Sequence, residues 1–437
     1  MQKHLAVPPA SSAVNVRTVA TPRGLAFWLV ESYAVPLVAL EFAMRGGAAQ
    51  DPADKAGLGM LLAGMLDEGA GDLDAQAFQR ALDEKAIELH FRNDRDYTAG
   101  RMRTLAKNLD RAAELLRLAV NAPRFDEEPF QRVREHANAK LRHDANDPGS
   151  VAARTWRANA FPGHPYGQPA EGALETLARV EPADLVAAAK RTIARDQLVV
   201  AVVGAIDEQG AAALVDTAFA DLPETGARRP VPEAQFAGLG KVDVVPLDVP
   251  QSTIRFGRPA LKRDDPDFIA SIVAAHVLGG SGNMTSRLFR EVREKRGLAY
   301  TVFGNLYALD HGGFYYGGTT TKNERARESF DVASAEVRDV ALNGLTQEEL
   351  EKGKTYLIGS YPLRFDTNAK IATQLLGLKM DGFGPDYVEN RNAMIAAVTL
   401  DDMKRVAKHL LETQNLIVTI VGKPALGPVA VAPAKKG

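Results

Sequence analysis

The sequence predicts an α+β protein of two homologous domains, each a mostly antiparallel sheet with helices packed on one face. Three observations carry this. Residues 180–204 (VEPADLVAAAKRTIARDQLVVAVVG) align without a gap on 398–422 (VTLDDMKRVAKHLLETQNLIVTIVG), matching Asp184/Asp402, Lys190/Lys408, Leu198/Leu416 and Gly204/Gly422 among others. The offset is close to half of the 437 residues, far beyond the roughly 20–50 of a solenoid repeat, so it marks a duplicated domain. Within each half, strand and helix periodicities are mixed, as layered helices and sheets require.

Residues 1–14 (MQKHLAVPPASSAV) hold two prolines and small polar residues, without the apolar centre of roughly 7–15 residues of a secretory signal. The expectation for the chain as given is therefore cytoplasmic, or periplasmic if an export signal has been removed. Residues 37–44 alternate, with Val38, Leu40, Phe42 and Met44 on one face of a half-buried strand. Residues 87–91 also alternate and place His90 on a polar face. Leu105, Leu109, Ala112, Leu116 and Val120 recur at helical spacing and form a core stripe. Phe125 to Glu128 opens a further helix, and Thr346-x-x-Glu349 is a capping box that opens another. Each copy of the repeat reads as a capped amphipathic helix, then a strand ending at glycine. Residues 223–240 (PETGARRPVPEAQFAGLG) read as a linker. The expected layout is an extension at 1–15, a first domain at 16–222, the linker at 223–240, a second domain at 241–423 and a flexible tail at 424–437.

Composition excludes several functions. With no cysteine there is no disulfide scaffold, thiol nucleophile or thiolate metal site. The balance of 53 Lys+Arg against 55 Asp+Glu provides no basic field for nucleic acid. No apolar run approaches the roughly 18 residues that span a bilayer. Neither GxGxxG after a strand nor a phosphate-binding P-loop is present, so nucleotide binding lacks support.

The eight histidines form neither H-E-x-x-H nor H-x-x-E-H. His136 and His143 are the only close pair, and seven residues rise about 10.5 Å along a helix, too far to share one metal. His276 reads as a satisfied core histidine. Ser281, in a glycine-rich stretch, lacks a G-x-S-x-G elbow and reads as part of a turn.

The informative stretch is 278–304, LGGSGNMTSRLFREVREKRGLAYTVFG. A glycine loop (Gly279, Gly280, Gly282) ends at Thr285-Ser286, which can cap a helix. Gly297 stops that helix, and a strand restarts at Leu298. Arg293 then falls in the last helical turn and Tyr300 early in the strand, across a tight corner. A guanidinium and a phenol aimed at one oxygen would stabilise an oxyanion. Taken alone, Arg at a helix end and Tyr in a strand are also ordinary placements.

At this stretch the sequence resembles the pitrilysin/insulinase family of zinc metallopeptidases, which includes the mitochondrial processing peptidases and the respiratory-chain core proteins. The match runs through Gly279-Gly280, Ser286-Arg287-Leu288-Phe289 and Arg293-Glu294-Lys295-Arg296-Gly297-Leu298-Ala299-Tyr300. Further matches are His164-Pro165-Tyr166-Gly167-Gln168-Pro169 with Gly172, and Asn146-Asp147-Pro148. The resemblance implies two domains arranged as a clam shell, with Arg293 and Tyr300 contacting substrate and stabilising the transition state. Gly279, Gly280 and Gly282 would line the substrate. The departure is in the first domain, where catalytic members carry H-x-x-E-H. Here Met60 and Gly64 stand at the two ligand positions, Ala63 replaces the general-base Glu, and Ala139-Lys140-Leu141 lacks the third ligand.

The resemblance therefore implies a chain that holds no metal or cofactor of its own. It would be a non-zinc subunit lending Arg293 and Tyr300 to a zinc-bearing homologous partner in a heterodimeric peptidase. The partners would be that subunit and a peptide, with no nucleic acid and no transmembrane segment. An extended substrate could add to a strand edge, with residues 37–44 followed by Arg45-Gly46-Gly47, or residues 312–318, as candidates. The alternatives are a non-enzymatic scaffold of the same fold and a free-standing hydrolase built around the glycine loop.

Overall fold

The computed structural model describes residues 14–411 and 416–425. Most of the expected N-terminal extension and nearly all of the expected tail lie outside them. The strands of the first sheet are β1 (Arg17–Ala20), β2 (Ala26–Glu31), β3 (Leu37–Arg45), β4 (Glu88–Asn93), β5 (Tyr97–Leu105) and β6 (Leu198–Gly204). Those of the second are β7 (Val242–Pro246), β8 (Gln251–Ala260), β9 (Ala299–Leu309), β10 (Gly312–Lys322) and β11 (Ile417–Gly422). The helices up to the middle of the chain are α1 (Leu58–Met65), α2 (Ala75–Asp83), α3 (Leu109–Asn121), α4 (Glu127–Asp144), α5 (Pro148–Ala160), α6 (Leu174–Leu177), α7 (Pro182–Thr192) and α8 (Glu208–Phe219). Then come α9 (Phe268–Gly279), α10 (Ala326–Asn343), α11 (Gln347–Gly359), α12 (Asn368–Met380), α13 (Tyr387–Ala397) and α14 (Leu400–Leu411). Among the described residues no helix is long and apolar enough to cross a membrane.

The duplication is visible in strand order. The first sheet runs β1-β2-β6-β3-β5-β4 and the second β7-β11-β8-β10-β9. Apart from the extra edge strand β1, the two orders correspond strand for strand. In each, one pair is parallel (β2 with β6, β7 with β11) and the rest are antiparallel. The repeated segments become α7–β6 and α14–β11, the strand lying inside its sheet both times. Their closing glycines share a left-handed backbone, Gly204 at φ +146° and Gly422 at φ +141°. A Cβ on Gly204 would also sit 2.2 Å from the Leu37 carbonyl oxygen, so no other residue fits that turn.

The chain divides into two compact units that do not follow its sequence halves. The first joins Gln168–Pro232 and Leu357–Ala396 to the described residues up to Arg142; the second holds His143–Gly167, Glu233–Tyr356 and the chain from Ala397 on. Each sheet thus takes a covering helix from the opposite half of the sequence. In the first unit, Leu40, Phe42, Val200 and Val202 face a core built by α1, α3, α7 and α8. The other face carries α12, whose Ile371 and Leu375 pack on Trp28, Val30, Ala39 and Val203. In the second unit α9, α10 and α14 lie together beside the sheet, and α5 packs on β8 and β11. Trp156 of α5 is fully buried, donates from Nε1 to the Ile417 carbonyl at 3.0 Å, and meets the rings of Tyr316 at 4.8 Å and Phe314 at 5.5 Å. Gly257 makes room for it, since a Cβ there would lie 2.4 Å from the indole.

Two local expectations need correction, the helical stripe and the edge strands, and the linker is more firmly held than its composition suggests. Leu105 ends β5 and the helix begins at Leu109, so the helical stripe is one turn shorter than its spacing suggests. The 223–240 stretch has no regular structure, yet it is fastened: Arg228 pairs with Asp196, and the Arg229 backbone exchanges hydrogen bonds with the Gln50 side chain at 2.7 and 2.9 Å. Phe236, further along, packs on Phe161 at 4.5 Å. Neither candidate edge strand is an edge, because β3 lies between β6 and β5, and β10 between β8 and β9. The edge strands are β1 and β4 in the first sheet and β7 and β9 in the second.

Candidate functional site

The Arg/Tyr corner belongs to the second unit and begins where α9 ends. Gly279 packs directly against the next helical segment and β9: a Cβ there would lie 2.6 Å from the Leu288 side chain and 2.9 Å from the Gly304 nitrogen. At Gly280 it would lie 2.8 Å from the His276 ring, and Gly282 adopts φ +77° in open space. Two of the three glycines therefore serve close packing and the third a left-handed turn. Asn283, which sequence reasoning passed over, pins this loop. Its Nδ2 donates to the His276 carbonyl at 2.9 Å, and its Oδ1 accepts from the Thr285 nitrogen and hydroxyl at 3.0 and 2.7 Å. His276 is half-buried, its ring stacked on Tyr356 at 4.9 Å and 3.2 Å from Asn283 Nδ2. The Ser281 hydroxyl accepts from Asn305 Nδ2 at 2.6 Å, which gives it a structural partner rather than a base.

The segment then enters a π-helical stretch, Phe289–Glu294, and the hydroxyl of Ser286, three residues before it, accepts from the Phe289 nitrogen at 3.3 Å. The wider winding shows in the bond from the Lys295 nitrogen to the Arg290 carbonyl, five residues back, at 2.9 Å. Short π-helical segments cost hydrogen-bond geometry and occur frequently at functional sites. Two ion clusters hold this one. Arg287, 8 % exposed, grips Glu349 of α11 with Nε and Nη2 at 2.6 and 2.8 Å and reaches Asp339 of α10 at 2.5 Å. Glu349 is also the capping-box carboxylate read from the sequence, accepting from the Thr346 nitrogen at 2.9 Å. Burial alone would raise its pKa, but the Arg287 and Thr346 bonds override that and hold it at about 2. Buried Glu291 takes Lys295 at 2.5 Å and Arg296 at 2.8 Å.

With its cationic neighbours claimed, Arg293 turns to aromatic rings. Its guanidinium lies 4.9 Å from the Phe289 centroid and 4.4 Å from that of Tyr300, both within cation–π reach. Tyr300 is the second residue of β9, the edge strand, and is 77 % exposed. The corner thus brings together the two side chains that sequence spacing paired. Gly297, at φ +57°, makes the turn between them. A large exposed aromatic held by a half-buried guanidinium offers several N–H donors and one O–H donor to an incoming oxygen.

In the first unit, Met60, Ala63 and Gly64 lie on α1, which Asp51 caps by accepting from the Gly57 and Gly59 nitrogens at 3.0 and 2.9 Å. Met60 packs against the apolar core, Ala63 is buried, and a Cβ on Gly64 would lie 3.1 Å from the Val133 side chain of α4. A thioether, a methyl and a hydrogen neither ligate a borderline dication nor accept a proton from its water. The residues present therefore do not fit zinc. Among the described residues no three His, Asp or Glu side chains gather in a way that could hold a metal ion.

The two sheets repeat one fold, and the Arg/Tyr corner lies in the second. Residues 29–173 match the family described as insulinase (peptidase family M16), and residues 179–357 match the peptidase M16 inactive domain. The chain belongs to peptidase family M16. The Helicobacter pylori protein named non-peptidase homolog YmxG is 27% identical over 394 residues, 90% of this chain and 90% of its own. An uncharacterized zinc protease of Mycobacterium bovis is 26% identical over 388 residues, 87% of this chain and 86% of its own. The crystal structure of a peptidase M16 inactive domain from Pseudomonas fluorescens matches with a TM-score of 0.88 at 24% identity, covering 94% of this chain and 98% of that one, which bears on the fold.

Proposed function

We propose that this chain is the zinc-less subunit of a two-chain metallopeptidase and supplies Arg293 and Tyr300 to a peptide bond cleaved at a homologous partner's zinc. The observation that carries this is the stacked Arg293–Tyr300 pair, with its phenol exposed, in a chain whose α1 lacks ligands. In this reading Arg293 and Tyr300 donate hydrogen bonds to the substrate carbonyl and strengthen them as its oxygen becomes an oxyanion. The zinc and the general base have to come from the partner. Co-purification with a zinc-bearing homologue tests it: peptidase activity is expected only in the mixture, and to vanish with a chelator. Activity of this chain alone would refute the proposal.

A second reading, a non-enzymatic subunit of the same fold, is favoured by the matched inactive-domain description and by the name of the Helicobacter relative. It predicts that Arg293 and Tyr300 can be replaced without consequence for any activity of the complex.

A further inference from the structure

The face of the first sheet that carries α12 is only partly covered by it. Beyond the helix lies a groove of about 560 Å³, floored by β3, β5 and the edge strand β4 and walled by α12 and the turn Tyr361–Arg364. That volume lies in the range of pockets that enclose a ligand or a side chain, roughly 300–1,000 Å³.

Its charges do not balance. Arg101, Arg103, Arg364 and Lys370 line it against two carboxylates, Glu41 and Glu88. Glu88 pairs with Arg103, and Lys370 pairs with Asp366 at 2.7 Å. Glu41 is 5 % exposed, accepts from the Thr373 hydroxyl at 3.0 Å and meets Arg92 at 3.5 Å. Arg101 stands opposite Glu41 in strand register, and its charge favours that carboxylate without closing to an ion pair. Arg101 and Arg364 are exposed, and neither has an ion pair among the described residues. An isolated surface arginine is simply hydrated and contributes little. Two guanidiniums without an ion pair that line one groove, Arg101 on its floor and Arg364 on its wall, are different, because a groove focuses their field on an anion that enters it.

We infer that this groove binds the carboxylate of an acidic residue in a peptide, so that the peptides this protein handles carry Asp or Glu. That the ligand is a peptide rests on the function proposed above; that it is acidic rests on the groove.

The test is fluorescence anisotropy on the full chain without a partner, using labelled extended peptides that differ only in Glu, Gln or Lys at one position. The Glu peptide is expected to bind about tenfold or more tighter than the Gln peptide, with the gap narrowing as salt rises. The Arg101→Gln/Arg364→Gln double variant should lose the preference, and Arg101→Glu should shift it toward the Lys peptide. Both positions are solvent-exposed, so an unchanged thermal melt is expected to verify folding. Equal affinity for Glu and Gln peptides, or a preference kept by the double variant, overturns the inference. So does complete displacement of the Glu peptide by equimolar inorganic phosphate, which would make the groove a site for a free oxyanion. The two proposals fail separately. Equal peptide binding sinks the groove alone, and undiminished turnover by an Arg293→Ala complex sinks the catalytic role alone.

Discussion

Arg293 and Tyr300 are seven apart in sequence and 4.4 Å apart as guanidinium and ring. Their pairing was legible because a helix stop at Gly297 and a strand restart fold the chain back on itself. The reason Arg293 is free to stack was not legible: Glu291 claims Lys295 and Arg296, and sequence alone does not say which cation in REKRG is left over. Removing one donor of an oxyanion site typically costs 10²–10³ in kcat. Arg293→Ala and Tyr300→Phe are each expected to lower kcat of the complex by about that factor, as measured by steady-state peptidase kinetics. Because Tyr300 is 77 % exposed, Tyr300→Phe should leave the melting of the chain unchanged to within about 0.5 kcal/mol. Arg293→Lys is not expected to rescue, since an ammonium lacks the planar fork that stacks on a ring.

At the scale of elements, the π-helical stretch and its anchors explain how the corner keeps its shape. No periodicity announces a five-residue hydrogen bond, which arises from tertiary contacts, so the sequence led to an ordinary helix there. The capping box Thr346–Glu349 was legible, whereas the second role of Glu349, as partner of Arg287 from another segment, was not. Removing one member of a buried pair leaves an uncompensated charge, and Arg287→Ala is expected to cost about 3–5 kcal/mol in denaturant unfolding. The pH dependence follows from the folded pKa of Glu349, about 2 against an ordinary 4.5. A carboxylate with a depressed folded pKa binds fewer protons folded than unfolded. Its stabilisation is therefore full above pH 4.5 and is lost as pH falls toward 2. The stability difference between wild type and Glu349→Gln should be constant near neutrality and shrink across that window, as followed by thermal melts at stepped pH.

At the scale of the whole molecule, the duplication was readable because helix–strand segments with matching residues recur at a fixed offset. The strand orders bear out two related sheets. What remained hidden is that α5 and α12 cover the sheet of the opposite sequence half, since an amphipathic stripe specifies burial but not the partner that provides it. Trp156 is the anchor of one such helix, and Trp156→Ala is expected to destabilise the second unit by about 3–5 kcal/mol, visible as a lowered unfolding midpoint. At Met60, Ala63 and Gly64 the expectation rests on residue type alone, because ligand chemistry depends on it and these types do not supply it.

The most direct measurement is peptidase activity of this chain alone, of a zinc-bearing homologue alone and of their mixture, each with and without chelator. Turnover is expected in the mixture only, abolished by chelator and reduced about 10²–10³-fold when the mixture contains Arg293→Ala. Turnover by this chain alone, or a mixture unaffected by that substitution, would contradict it.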